Sequence, residues 1–170
     1  MSVLALLALA ATAATLPDPI APAAEGQMQC YAPDLARKTC ASLSSYALGA
    51  DGGIINDALV LISRSPKITM ETTAPVTIKD GRVCGALQPQ DLEAAKFVYD
   101  DAPPDESRLA DLKLAVKQAY GPIMGREICT AYVQDGGRLT ARITQDGLPN
   151  PGLDERVKWV SPADGYKVSP

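Results

Sequence analysis

The sequence predicts an α+β domain: a mainly antiparallel sheet built from hairpins, with one long and one short helix inserted between two groups of strands. Three observations carry that expectation. Two stretches, around residues 67–88 and 128–145, alternate apolar with polar residues about Asp-Gly or Asp-Gly-Gly turns. Between them, Leu109, Leu112, Val116 and Ala119 recur at helical spacing. Four cysteines, an even number, lie among the strand-like segments.

In chain order, residues 1–15, MSVLALLALAATAAT, form an uncharged apolar run ending in small residues, the pattern of a secretory signal and its cleavage site. Two Ala-x-Ala sites fit, Ala11-Thr12-Ala13 and Ala21-Pro22-Ala23. Residues 1–23 are therefore expected to be signal peptide and spacer, with cleavage after Ala13 or Ala23. Residues 24–29 read as a linker, and 30–170 as a single disulfide-stabilised α+β domain. Spanning a bilayer takes about 20 apolar residues, so this run is too short to be a membrane anchor. From Leu16 to Gln29 the prolines and the lack of periodicity read as a flexible spacer.

Residues 34–48 fit either period, Ala36, Cys40, Leu43 and Ala47 at helical spacing or CASLSSYAL as a strand, and the strand is favoured. Gly49-Ala50-Asp51-Gly52-Gly53 is a turn by composition, and Ile54 to Ile62 a buried strand ended by Ser63-Arg64-Ser65-Pro66. In KITMETT, Ile68 and Met70 face one way, and Lys67, Thr69 and Glu71 the other. PVTIKDGRVCGAL is a hairpin turning on Lys79-Asp80-Gly81-Arg82, where glycine readily takes the positive φ of a tight primed turn. A short helix is predicted from Pro89 through about Val98. A longer one opens at Asp105 and Glu106 and ends at Gly121-Pro122. ICTAYV and LTARIT then make a second hairpin through Gln134-Asp135-Gly136-Gly137-Arg138, and a short strand is expected around Trp159.

Two disulfides are expected, since an exported chain of this size has that use for an even number of cysteines and no C-x-x-C pair suggests a metal site. Of three connectivities, Cys30 to Cys40 with Cys84 to Cys129 is favoured: the first pair is close in sequence and the second joins two strand-like segments.

Chemistry is constrained mainly by composition. A net charge of -4 lacks the basic surplus that nucleic-acid binding requires. Histidine is absent, which removes Ser-His-Asp and Cys-His catalysis and His-ligated zinc. The acidic run Asp100 to Glu106 concentrates hard oxygen donors but lacks EF-hand spacing, so a solvated loop whose Asp105 caps the next helix is the better reading. Carboxylates of the Asp-Gly pairs at Asp51, Asp80, Asp135, Asp146 and Asp164 are accounted for by turns, and Ser63, Ser65 and Lys67 by a strand-edge loop. No phosphate-binding glycine pattern occurs, and no cofactor is expected. Trp159, with Tyr166 beside it in the C-terminal segment, is the candidate binding pair, because tryptophan is enriched at binding hot spots; a place in the core is the competing role. Arg37 with Lys38, and Arg156 with Lys158, read as solvated basic clusters.

The leader, the cysteine placement and the closing WVSPADGYKVSP have the style of a small exported bacterial protein. The expectation is a periplasmic or secreted, non-enzymatic module that binds an envelope protein, a peptide or a glycan, with no nucleic acid and no membrane span in the mature chain. A carboxylate-dependent hydrolase of envelope polymer is the alternative.

Overall fold

The computed structural model describes residues 15–170. The expected cleavage site after Ala13 and most of the predicted leader lie outside the described residues.

The strands are β1 (Met28–Tyr31), β2 (Thr39–Cys40), β3 (Ser42–Leu48), β4 (Ile54–Arg64), β5 (Lys67–Lys79), β6 (Arg82–Gly85), β7 (Lys96–Tyr99), β8 (Ile128–Asp135), β9 (Arg138–Gln145), β10 (Leu148–Pro149), β11 (Glu155–Val160) and β12 (Lys167–Val168). Eight of them close on themselves in the order β9-β11-β1-β3-β4-β5-β6-β8, with β8 returning to β9. Every neighbouring pair in that ring is antiparallel.

This corrects the α+β expectation. The chain is mostly β, 47% strand, and forms a closed antiparallel barrel with one helix of 18 residues rather than a sheet layered with two helices. That helix is α2 (Glu106–Tyr120), prolonged by the 3-10 turn Gly121–Ile123. The other, α1 (Pro89–Ala94), is a six-residue turn. Strand, helix and strand do follow one another in sequence, but the barrel is closed by pairs distant in sequence, such as Gln29 opposite Trp159 and Val83 opposite Thr130. The expected short helix also stops early. Residues 96–99 form β7 against the first half of β5, Lys96 facing Glu71 and Phe97 facing Met70.

Both predicted hairpins are present, and their turns take the positive φ the sequence implies: Asp80 and Gly81 at 49° and 71°, Gly136 and Gly137 at 55° and 78°. β5 runs unbroken through both segments read as separate strands. Its residues 68–71 pair with β7 and 77–79 with β6, and Pro75, which has no N–H to give a ladder, falls between.

Side chains alternate across each strand, so one parity lines the barrel. Inward positions include Gln29 and Tyr31 on β1, Ser44 and Tyr46 on β3, Asn56 on β4, Thr72, Ala74 and Val76 on β5, Val83 on β6, Thr130 and Tyr132 on β8, and Trp159 on β11, in agreement with the registers. Outward positions on β5 and β9 carry Glu71, Thr73, Thr77, Lys79, Arg138, Thr140, Arg142 and Thr144. No helix of the described residues is long and apolar enough to cross a membrane.

Three apolar clusters hold the fold. At one end of the barrel, Leu16 and the fully buried Ile20 pack with Tyr46 and Val83, and Leu48, Val76 and Trp159 close around them. The stretch read as a flexible spacer is thus part of the structure, with a 3-10 turn at Ala21–Glu25 and β1 starting at Met28. At the other end, α1 and α2 cover the start of β5 and β7 through Met70, Phe97, Leu92 and Val116. Outside β1, β3 and β11, Cys30, Cys40 and Val160 pack with Leu43 and Tyr166. Cys30–Cys40 and Cys84–Cys129 are the disulfides, with Cα–Cα distances of 5.4 and 4.1 Å, in the favoured connectivity. Two such bonds are the usage of an oxidising, extracytoplasmic compartment.

Candidate functional site

A cleft of about 370 Å³ lies where β11 runs past the start of β9. Beyond the pair Val157–Leu139 the strand continues through Lys158 and Trp159 with no β9 partner, and the β8–β9 hairpin stands beside the gap. The loop from β1 to β2 forms the opposite wall. It is shaped by Asp34, whose carboxylate accepts from the backbone N–H groups of Ala36 and Arg37 and from Arg37 Nε. Those bonds, the Arg37 backbone first and its side chain next, hold the Asp34 carboxyl below its ordinary value. The turn leaves Leu35 65% exposed at the cleft rim.

The floor is apolar: Pro33, Leu139, Val157 and Trp159. Arg138, Arg156 and Lys158 also line the cleft, and no carboxylate does. Seven ion pairs occur among the described residues, and none takes any of these three cations. In a chain of net charge -4 this is a local concentration of uncompensated positive charge.

The two aromatic residues singled out in the sequence are not brought together. Trp159 is half-buried, stands across from Gln29 and packs against the barrel interior while also lining the cleft. Tyr166 lies on the outer cluster over the Cys30–Cys40 bond. Lys158 links the two regions, its Nζ 5.2 Å from the Tyr166 ring centroid and donating to the phenol oxygen at 3.3 Å. Sequence reasoning noted Arg156 and Lys158 only as a solvated cluster and passed over Arg138. Their convergence depends on the β9–β11 pairing, for which a sequence carries no local signal.

A second cavity, about 260 Å³, is the barrel lumen itself. In its wall stand Tyr31, Tyr46 and Tyr132, whose hydroxyls all lie within hydrogen-bonding distance of Gln29 Oε1 at 3.1, 2.9 and 2.9 Å. Tyr31 and Tyr132 also bond to one another at 2.7 Å. Gln29 is fully buried, and its Nε2 has no partner. Burial, reinforced by the neighbouring phenols, pushes Tyr31 and Tyr46 well above the ordinary tyrosine value; burial raises Tyr132.

The other candidates sit apart. Asp100 accepts from the Lys67 N–H, Asp101 pairs with the Lys67 ammonium, and Asp105 caps α2 through the Arg108 N–H, so the acidic run is a tied loop. Asp51, Asp80 and Asp146 stand in three separate turns, Asp135 ends β8 and Asp164 ends the 3-10 helix Pro162–Asp164. Cys84, Cys129 and Glu127 approach one another, but both sulfurs are spent in the disulfide and Glu127 pairs with Lys79. No family model matches the chain, and no curated protein or solved structure matches it either.

Proposed function

We propose that this protein is a periplasmic or secreted, non-enzymatic binding module whose cleft takes an acidic peptide segment of an envelope protein. The observation that carries this reading is the set of three unpaired cations, Arg138, Arg156 and Lys158, around an apolar floor containing Trp159. A peptide can lay an apolar side chain against Leu139, Val157 and Trp159 while its carboxylates meet the cationic rim; the aromatic floor is the hot spot and the charges govern orientation and encounter rate. An acidic glycan fits less well, because beside the cations the cleft offers Gln134 as its one uncharged polar side chain. The hydrolase alternative needs two free carboxylates in one cleft; the two cavities described above contain none, and in a smaller cleft of about 220 Å³ the two present, Asp57 and Glu71, are engaged by Thr73 and Lys96.

Titration of Trp159 fluorescence with a peptide alternating Asp and Leu tests the proposal, with an oligogalacturonate as the glycan control. The peptide is expected to bind and to weaken as salt rises. The combined change Arg138→Ala, Arg156→Ala and Lys158→Ala should lower affinity about 10-fold, from exposed charge contacts each of under about 1 kcal/mol. Equal binding of peptide and glycan, or an unaltered affinity in the triple variant, would overturn it.

A further inference from the structure

We infer that the barrel lumen is a second binding site, for a small neutral molecule bearing a hydroxyl group on an apolar body. It rests on the geometry around Gln29. One amide oxygen has two lone-pair positions, yet three phenol hydroxyls crowd it at 2.9 to 3.1 Å. One hydroxyl proton must therefore look elsewhere, and the approaches of Tyr31 and Tyr46 to Tyr132, at 2.7 and 3.4 Å, are its internal outlets. A ligand entering the lumen meets phenols that can give a proton or accept one. A hydroxyl does both at one atom, so it matches better than a group that only donates or only accepts.

Two further features narrow the ligand class. The wall contains no charged side chain; around the phenols stand Thr72, Thr130 and Asn56 with the apolar Ala74, Val83 and Ile128. An ion would shed water there and find no opposite charge, a large cost. The volume, about 260 Å³, lies just under the range of about 300 to 1,000 Å³ that holds drug-sized ligands, which points to a molecule of one ring. All three phenols are protonated and uncharged at neutral pH, as a neutral ligand requires, and burial moves them further in that direction. This cavity is distinct from the cationic cleft: the two share no lining residue.

The test is an amide NMR titration of the disulfide-intact chain with benzyl alcohol, against benzoate and benzylammonium. Benzyl alcohol is expected to shift the amides of Gly85, Ala86 and Thr130 saturably, and each charged analogue to bind at least about 10-fold more weakly. Tyr31→Phe should weaken the alcohol about 5-fold, the loss of one hydrogen bond. Ala74→Leu, which fills the lumen and leaves the phenols alone, should abolish binding even if the tyrosine variant fails to fold. The Arg156→Ala, Lys158→Ala variant of the other cleft should bind benzyl alcohol unchanged. Absence of lumen shifts, equal affinity for benzoate, or full binding by Ala74→Leu would each overturn the inference.

Discussion

The phenols around Gln29 give the molecule an alkaline limit that can be worked out in sign. A group whose folded-state pKa lies above its unfolded value is protonated longer in the native chain than in the unfolded one. Below pH 10.0, the ordinary tyrosine value, both states hold the proton and the contribution to stability is complete. Above it the unfolded chain ionises first, so stability falls as pH climbs toward the raised folded values of Tyr31, Tyr46 and Tyr132. The expected result is a urea midpoint insensitive to these groups near neutrality and declining above pH 10.0, with part of the phenol absorbance change appearing only as the chain unfolds. If every tyrosine titrates with the native protein intact, the hydroxyls are solvated rather than held by Gln29. Tyr31→Phe together with Tyr46→Phe should remove most of the decline. These residues were invisible as a site in the sequence. Strand parity could place each of them on one face, but only the ring of strands brings positions 29, 31, 46 and 132 together.

At the scale of elements, the N-terminal segment departs most from what its sequence suggests. Prolines and weak periodicity imply a spacer, yet Ile20 is 0% exposed and Leu16 8%, both against Tyr46 and Val83. The apolar pair carries no helical or strand period because it acts as a stopper in the end of the barrel rather than as part of a regular element. Ile20→Ala should therefore cost about 2 to 5 kcal/mol, the usual range for emptying a buried aliphatic site, read as a lower midpoint in denaturant at unchanged slope. Cleavage after Ala23 would discard the same stopper, whereas cleavage after Ala13 would keep it; sequencing the mature N-terminus from the native host is expected to find Leu16 and Ile20 retained. The hairpins were readable for the opposite reason. Asp80-Gly81 and Gly136-Gly137 combine local turn chemistry with alternation on both sides, so each is specified within about twenty residues of chain. β7 shows where local signals mislead: Pro89, Gln90 and Asp91 do start a helix, but Phe97 is buried between the exposed Lys96 and Val98 in the alternation of a strand, which the helix start hides.

For the whole molecule, the two disulfides divide their work according to what each loop contains. Cys84–Cys129 spans 45 residues and encloses α1, β7 and α2, the entire helical excursion between β6 and β8; Cys30–Cys40 spans 10 and encloses the Asp34 turn that carries Leu35. In the chain-entropy model the larger loop is worth about 4 kcal/mol and the smaller about 3. Barrel closure itself does not depend on the smaller bond, since β1 is already paired on both sides, to β3 and β11. β6 has only three register positions with β8, and one of them is Cys84 opposite Cys129, so this bond guards a short seam of the ring. Replacing both members of each pair by alanine should therefore separate stability from recognition. Loss of Cys84–Cys129 is expected to lower the guanidinium midpoint more, while loss of Cys30–Cys40 should loosen the Leu35 wall and reduce affinity for the acidic peptide out of proportion to its effect on stability. Equal effects of the two replacements on both measurements would mean that the cleft wall is held by Asp34 and the strand pairing alone.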